Sequence, residues 1–149
     1  MKKVICSGAL FLALSSNRFL FLHRARSKHS DTWGLVGGVN EESETPWSAL
    51  EREIIEEISP TEIKKAIPLE TYVSNDNFFT FHTYLCLVDR EFIPMLNEEH
   101  DGYAWVSYKK WPRPLHQGLK NTLNNRINQV KLDTVMNLTN FIQVSNFIS

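Results

Sequence analysis

The sequence has few of the features that define several protein classes. Its two cysteines, Cys6 and Cys86, lie far apart in apolar runs, so neither a disulfide framework nor a structural zinc site is expected. The 16 lysines and arginines are matched by 17 acidic residues, and the net charge of -1 excludes an overall attraction to nucleic acid or to an acidic membrane. Internal repeats, flexible linkers and low-complexity blocks are also missing. We therefore expect one domain over residues 1–149.

Long apolar stretches are missing as well. The run Val4–Leu14 is interrupted by a serine and a glycine and is shorter than the about 20 residues that span a bilayer. Its basic start and the small residues after it are typical of a secretory signal. A second apolar run at Phe19–Leu22 favours instead two strands of a hairpin. We predict no membrane partner and a cytoplasmic location, in agreement with the unpaired cysteines.

What the sequence does contain is a series of strand and helix signals. Thr45-Pro46 predicts a helix start, because a hydroxyl cap is followed by proline at the first helical position. This first helix ends near Ile58, before Ser59-Pro60, and Leu50 and Ile54 belong to its buried stripe. Further strands are predicted at Trp33–Gly38, Leu69–Val73, Phe78–Val88 and Tyr103–Tyr108, and further helices at Leu115–Val130 and Asp133–Ser149. The order favours an α/β (α+β) sandwich with a mixed sheet flanked by helices.

Three glutamates share one side of the first predicted helix. Glu53, Glu56 and Glu57 fall within an arc of about 100°. Such a cluster fits a solvated helix face on which Arg52 reduces the repulsion between the glutamates. It also fits a site for a divalent cation that prefers carboxylate oxygens. A Gly37-Gly38 bend lies a short loop upstream and would bring backbone carbonyls near the acidic face, which favours the cation.

These residues stand in a spacing that resembles a known motif. From Gly38 there are five residues to Glu44, then seven residues to Arg52-Glu53-Ile54-Ile55-Glu56-Glu57. This resembles the Nudix box of the Nudix hydrolases, the MutT-like pyrophosphohydrolases, and implies the Nudix fold. The chain departs from the usual box at Ile58-Ser59-Pro60, where a glycine and an aliphatic residue are common, and at Val36, where a proline is common. Neither departure changes a charged group.

The resemblance implies roles for individual residues. Glu56 and Glu57 would be the principal metal ligands, and Glu53 would bind metal through water or orient the attacking water. Arg52 would orient the glutamates, Glu44 would support the loop, and a carbonyl of Gly37 or Gly38 would contact the metal. The catalytic residues that the resemblance implies are Arg52, Glu53 and Glu57, and the implied metal-binding residues are Gly37, Gly38, Glu53, Glu56, Glu57 and Glu99.

A second segment, Asn97–Trp105, is similar to the family's loop before a later strand. Its Glu99 would be a further metal ligand, and His100 is another candidate base because histidine titrates near neutrality. The general base stays open among Glu53, Glu57, Glu99 and His100.

Basic and aromatic side chains are candidates for substrate binding. Arginines could hold phosphate and aromatic rings could stack on a base, although a charged loop also fits solvent and alternating aromatics also fit core packing. The candidates are Arg24, Arg26, Trp33, Phe79, Phe81 and Tyr103.

The resemblance implies hydrolysis of a pyrophosphate linkage by water attack at phosphorus, with Mg²⁺ or Mn²⁺ as cofactor. The favoured substrates are nucleoside diphosphate derivatives of the kind that compact microbial and phage-borne relatives cleave: ADP-ribose, Ap3A-type dinucleoside polyphosphates or FAD. The alternatives are a (d)NTP pyrophosphohydrolase, a GDP-sugar hydrolase, an RNA cap-removing hydrolase and a non-catalytic nucleotide-binding module. Expected partners are a small nucleotide, a capped RNA 5′ end as the one nucleic acid, and a second copy in a homodimer. A phage-encoded chain would act in the host cytoplasm.

Overall fold

The computed structural model describes residues 2–25, 31–59 and 62–148, and residues 141–148 by their backbone alone. Within these ranges the chain forms seven strands and three helices. In chain order they are β1 Val4–Ala13, β2 Arg18–Arg24, β3 Trp33–Gly34, β4 Val36–Val39, α1 Pro46–Ile58, β5 Lys65–Val73, β6 Phe79–Val88, β7 His100–Ser107, α2 Gln117–Asn124 and α3 Arg126–Ile148.

The strands form one mixed sheet around β1. The main order is β3-β2-β1-β6-β5, while β4 pairs with β1 and β7 pairs with β2. The β1–β6 pair is parallel over all ten residues of β1, and the other pairs are antiparallel. The predicted hairpin at the start of the chain is confirmed, because β1 and β2 pair directly.

Helices cover both faces of the sheet, so the predicted sandwich is confirmed. Ala9, Phe11 and Ala13 of β1 pack in one core cluster, to which α1 contributes Leu50, Ile54 and Ile58. Leu10 and Leu12 pack in a second cluster, to which α2 and α3 contribute Leu119, Leu123 and Leu132. Successive residues of a strand point to opposite faces, so the continuous apolar run of β1 serves both layers.

The start of α1 follows the prediction. Thr45 caps the helix: its hydroxyl accepts from the Ser48 backbone N–H at 3.1 Å, and the Ser48 hydroxyl accepts from the Thr45 N–H at 3.0 Å. Pro46 occupies the first turn, where its missing N–H removes no hydrogen bond. At the other end, Ser59 has φ 74° and ψ 163°, a conformation that is essentially confined to glycine.

The prediction of one helix over Leu115–Val130 was wrong, because two helices meet inside that range. Asn125 has extended backbone between α2 and α3, and its side-chain oxygen accepts from the Asn128 N–H at 3.1 Å. Asparagine in this position is a good cap for the start of a helix. The predicted terminal helix is therefore the continuation of α3 to Ile148. Among the described residues, no helix combines the length and apolarity needed to cross a bilayer.

Candidate active site

A cavity of about 1020 Å³ lies between α1 and α2, over the sheet. Arg52, Glu53 and Glu57 of α1 line one end, together with Gly37 and Gly38 of β4. The floor includes Gly8 of β1 and Phe81 and Thr83 of β6, and the opposite end is lined by Glu70, Asn121, Thr122 and Asn125. The cavity thus joins the predicted acidic cluster to a polar region at the far side of the sheet.

Glu57 is the buried member of the acidic cluster. It lies on the apolar face of α1 with Leu50 and Ile54, and only 2% of its surface is exposed. Its carboxylate accepts a hydrogen bond from the Gly37 N–H at 3.1 Å. Burial raises the pKa of Glu57 to about 8, and the nearby charges of Glu53 and Glu99 add to this effect. The surroundings of Glu57 therefore do not offset the free-energy cost of burying its charge.

Glu53 lies against the glycine bend. A Cβ atom placed on Gly38 would be 2.5 Å from its carboxylate oxygen Oε1, so a larger residue at this position would displace the carboxylate from where it lies. Burial raises the pKa of Glu53; Arg52 opposes the rise, while Glu56 and Glu99 add to it. Glu53, Glu57 and Glu99 consequently form one group of mutually repelling carboxylates beside the Gly37-Gly38 bend.

Arg52 organises the remaining acidic side chains. Its guanidinium donates two hydrogen bonds to Glu44, at 2.9 and 3.0 Å, and one to Glu53 at 3.1 Å. It also donates to the backbone carbonyl of Val39 at 3.2 Å, and it pairs with Glu56 at 3.3 Å. Glu56, whose side chain is 55% exposed, is thus held by Arg52, whereas Glu53 and Glu57 have contacts with the bend.

The donor set fits a hard divalent cation such as Mg²⁺ or Mn²⁺. No group of three aspartate, glutamate, histidine or cysteine side chains converges as a preformed metal cage in the parts of the chain that the structure describes. Protein-bound Mg²⁺ commonly uses one or two carboxylates and completes its shell with water and substrate phosphate. Glu53 and Glu57 supply two such carboxylates, and a cation would offset the burial and the repulsion that raise their pKa values.

His100 lies beside these carboxylates but is not poised for titration at neutral pH. It is 6% exposed, and its Nδ1 atom has no hydrogen-bond partner among the described residues. Burial lowers the pKa of His100 to about 4, and the charge of Arg24 contributes. The expectation that His100 titrates near neutrality was therefore wrong. Glu99 also lines the cavity, in agreement with its predicted position near the metal ligands.

The predicted substrate-binding residues divide into three groups. Arg24, Phe79 and Phe81 line the cavity. Arg26 lies outside the described residues. Trp33 instead contacts His23 edge-on, with ring centroids 5.0 Å apart, and packs against the second core cluster. Tyr103 lies on β7 opposite Leu22, and the structure brings neither of these two aromatics into the cavity wall, so their role in substrate binding stays a prediction.

Sequence reasoning missed the end of the cavity formed by β5 and α2. Its side chains are Glu70, Asn121, Thr122 and Asn125. One signal was available: Tyr72, an aromatic residue in the predicted strand Leu69–Val73, pairs with Phe81 across the β5–β6 ladder, which places Glu70 on the same face of β5. The α2 residues carried no signal, because the predicted helix had no boundary at Asn125.

Comparison with known proteins agrees with this geometry. Residues 5–125 match the family model for the NUDIX domain. The chain is 33% identical over 111 residues to the dihydroneopterin triphosphate diphosphatase of Haemophilus influenzae, covering 64% of this chain and 68% of that protein.

Solved structures share the fold. The MutT NUDIX hydrolase from Burkholderia pseudomallei has a TM-score of 0.66 at 22% identity, covering 85% of this chain and 99% of that one. An Ap4A hydrolase from C. elegans, in a binary complex, has a TM-score of 0.66 at 17% identity, covering 88% of this chain and 98% of that one.

Proposed function

This chain belongs to the NUDIX family as a Nudix pyrophosphohydrolase, and we propose that it hydrolyses a phosphoanhydride bond of a nucleotide with the help of Mg²⁺. One observation supports the metal-dependent chemistry above all others. Glu57 is a carboxylate on the buried face of α1, next to Glu53 and Glu99, with a backbone N–H as its hydrogen-bond donor. Like charges at such a position fit a site that receives a cation together with an anionic substrate.

The residues at the bend have distinct roles in this proposal. Glu53 and Glu57 hold the cation, with a backbone carbonyl of Gly37 or Gly38, and Glu99 adds negative charge at the same place. A bound divalent cation would lower the pKa of water and stabilise charge on the phosphate oxygens. Glu56 adds a carboxylate at the outer side, where Arg52 keeps it in position.

Water attack at phosphorus needs a positioned acceptor for the proton. Glu53 is our proposed residue, because Arg52 fixes its carboxylate at 3.1 Å and the Gly38 backbone packs against it. His100 is a weaker base at neutral pH, since burial lowers its pKa to about 4.

A matched set of variants tests the function. In Glu57→Gln and Glu53→Gln we expect hydrolysis to fall about 100- to 1000-fold, because each removes a charge that holds the cation. Glu51→Gln makes the same chemical change on an exposed residue of the same helix and should retain wild-type rates. Near-wild-type turnover in Glu57→Gln would refute the assignment.

A second readout does not depend on turnover. Mg²⁺ at about 100 times its Kd should stabilise the wild-type protein by about 2.7 kcal/mol in thermal unfolding. The shift should shrink in Glu57→Gln and persist in Glu51→Gln. An equal shift in all three proteins would place the cation elsewhere.

Two observations bear on the substrate. The resemblance of the sequence favours nucleoside diphosphate derivatives such as ADP-ribose, Ap3A-type dinucleoside polyphosphates or FAD. The Haemophilus relative, at 33% identity, carries a name that specifies a triphosphate, which favours the nucleoside triphosphate alternative. A panel of both classes in ¹⁸O-labelled water would identify the bond and the attacked phosphorus. Label in the leaving group's carbon-bound oxygen would contradict attack at phosphorus.

Partners and location stay at the level of prediction. A small nucleotide suits the cavity. Homodimerisation, action on a capped RNA end and a cytoplasmic location remain predictions from the sequence.

A further inference from the structure

The floor of the cavity is a row of residues that crosses four strands. Gly37 of β4 pairs with Gly8 of β1, Gly8 with Thr83 of β6, and Thr83 with Glu70 of β5. Directly paired residues lie on the same face of a sheet, and neighbouring strands are about 4.8 Å apart, so the row spans roughly 14 Å. One end is Gly37, which donates its N–H to Glu57. The other end is Glu70, so the two carboxylates mark opposite ends of one nucleotide-sized floor.

An aromatic platform lies in the middle of this floor. A Cβ atom on Gly8 would be 2.9 Å from the ring of Phe81, so the glycine allows the ring to lie close over β1. Phe79 lies beside Phe81, with ring centroids 6.4 Å apart and the two rings tilted by 43° to each other. A base stacked on the Phe81 ring would direct its edge toward β5 and α2.

Glu70 is held rigidly at the β5 end. One carboxylate oxygen accepts from the Thr122 hydroxyl at 2.8 Å, and the other accepts from the Asn128 amide at 2.6 Å. Among the described residues it has no ion pair. A carboxylate has about four acceptor positions, so both oxygens of Glu70 can still accept a further hydrogen bond. Two adjacent N–H groups on a flat base would fit this pair of oxygens.

Two carboxamides stand beside Glu70. The side-chain oxygen of Asn121 accepts from Gln117 at 2.9 Å, and that of Asn125 accepts from the Asn128 N–H at 3.1 Å. Because their oxygens are engaged, both can present their NH₂ groups to the cavity as donors. The β5 end therefore offers a charged double acceptor next to neutral donors.

We propose that this end of the cavity binds the edge of a guanine or pterin base on which an amino group, a ring N–H and a carbonyl stand side by side (2-amino-6-oxo in guanine, 2-amino-4-oxo in pterin), with Glu70 as the specificity-determining residue. The ring N–H and the adjacent amino group of such a base donate to the two oxygens of Glu70, and the carbonyl accepts from a carboxamide. Adenine presents an unprotonated ring nitrogen where the ring N–H is needed, and hypoxanthine lacks the amino group. The inference rests on the proposed hydrolysis and specifies its substrate class.

The wild-type protein provides the first test. We expect kcat/KM for GTP to exceed that for ITP by about 10- to 100-fold, the effect of one charge-assisted hydrogen bond. ATP should be at least as poor as ITP. Dihydroneopterin triphosphate carries the same edge as GTP. Whichever of the two substrates has the larger kcat/KM carries the base that the site prefers. Equal values for GTP, ITP and ATP would overturn the inference.

Glu70→Gln provides the second test, because a carboxamide pairs with a different edge. In this variant the preference for GTP over ITP should vanish, and activity on XTP, whose carbonyl replaces the amino group, should rise relative to GTP. A general loss of protein stability would lower the activity on all nucleotides by the same factor, and it could not invert this preference. Glu62→Gln, an exposed glutamate outside the cavity, should retain the wild-type ratios.

A binding measurement separates the inference from the proposed function. Calorimetry in EDTA compares GMP with IMP on the wild-type protein, and we expect GMP to bind about 10-fold more tightly or better. Selective GMP binding without hydrolysis of any nucleotide would refute the proposed function and retain the base site. Hydrolysis without selection between GMP and IMP would refute the base site and retain the function.

Discussion

The two ends of the cavity each contain a glutamate, and the two are stabilised in opposite ways. Glu57, at the α1 end, is buried beside two other carboxylates and accepts from the Gly37 N–H. Glu70, at the β5 end, accepts from two neutral donors, the Thr122 hydroxyl and the Asn128 amide. The neighbouring charges and hydrogen-bond donors of a carboxylate therefore decide which ligand it suits. Glu57 is suited to a cation, and Glu70 is suited to the N–H groups of a base.

The largest expected effect is on the pH dependence of stability at the α1 end. The pKa of Glu57 rises from 4.5 to about 8 on folding. Between these values the folded state binds more protons than the unfolded state, so the stability of the metal-free protein falls as the pH rises from 4.5 to 8. Glu57→Gln removes this loss and should be more stable than wild type at pH 8 by a few kcal/mol.

Urea unfolding in EDTA at pH 5 and pH 8 measures this difference. Glu51→Gln, on the exposed side of the helix, is the control and should follow the wild-type pH dependence. If Glu57→Gln were no more stable than wild type at pH 8, the contrast between the two ends would be lost.

A smaller and opposite effect is expected at the β5 end. Asn128 is 2% exposed and donates to Glu70 at 2.6 Å and to the Thr122 carbonyl at 3.0 Å. Asn128→Ala should therefore cost about 1–3 kcal/mol of unfolding free energy. The loss should be similar at pH 5 and pH 8, because no titrating group is removed.

Asn137→Ala, on an exposed position of α3, is the matched control and should change stability by less than about 0.5 kcal/mol. A neutral result for Asn128→Ala would show that Glu70 does not depend on its donor.

The smallest expected effect concerns how the helices end at the two sides. Ser59 after α1 has φ 74°, whereas Asn125 after α2 has φ -70°. Ser59→Gly should stabilise the protein by about 1 kcal/mol, because glycine adopts the observed conformation without strain. Asn125→Gly should destabilise it, since it removes the cap on the Asn128 N–H. Thermal unfolding of both variants checks the opposite signs, and a destabilised Ser59→Gly protein would contradict the strain at that position.

The α1 end could be predicted from local sequence, since its signals lie within about twenty residues. Thr45-Pro46 marked the helix start, and the glycine and glutamate spacing placed Glu53 and Glu57 near the bend. The burial of Glu57 was also implicit, because it lies seven residues after Leu50 on the same helical face.

The β5 end could not be predicted, since long-range pairings create it. Glu70 reaches the cavity through the β5–β6 ladder and contacts Asn128, 58 residues away in sequence. The split at Asn125 includes a side-chain hydrogen bond to the Asn128 N–H inside a range for which the sequence analysis predicted one helix. The place of Trp33 outside the cavity wall could not be predicted for a similar reason, because its partners His23 and Leu115 come from separate parts of the chain.

The parallel ladder between β1 and β6 has a consequence for biosynthesis. It joins Val4 to Phe79, so 75 positions (79 minus 4) separate its partners in the chain. The apolar β1 therefore leaves the ribosome long before β6, the strand that pairs with one of its edges, has been synthesised. During that interval the nascent chain exposes a hydrophobic strand edge, the kind of surface that chaperones bind and that aggregates in their absence.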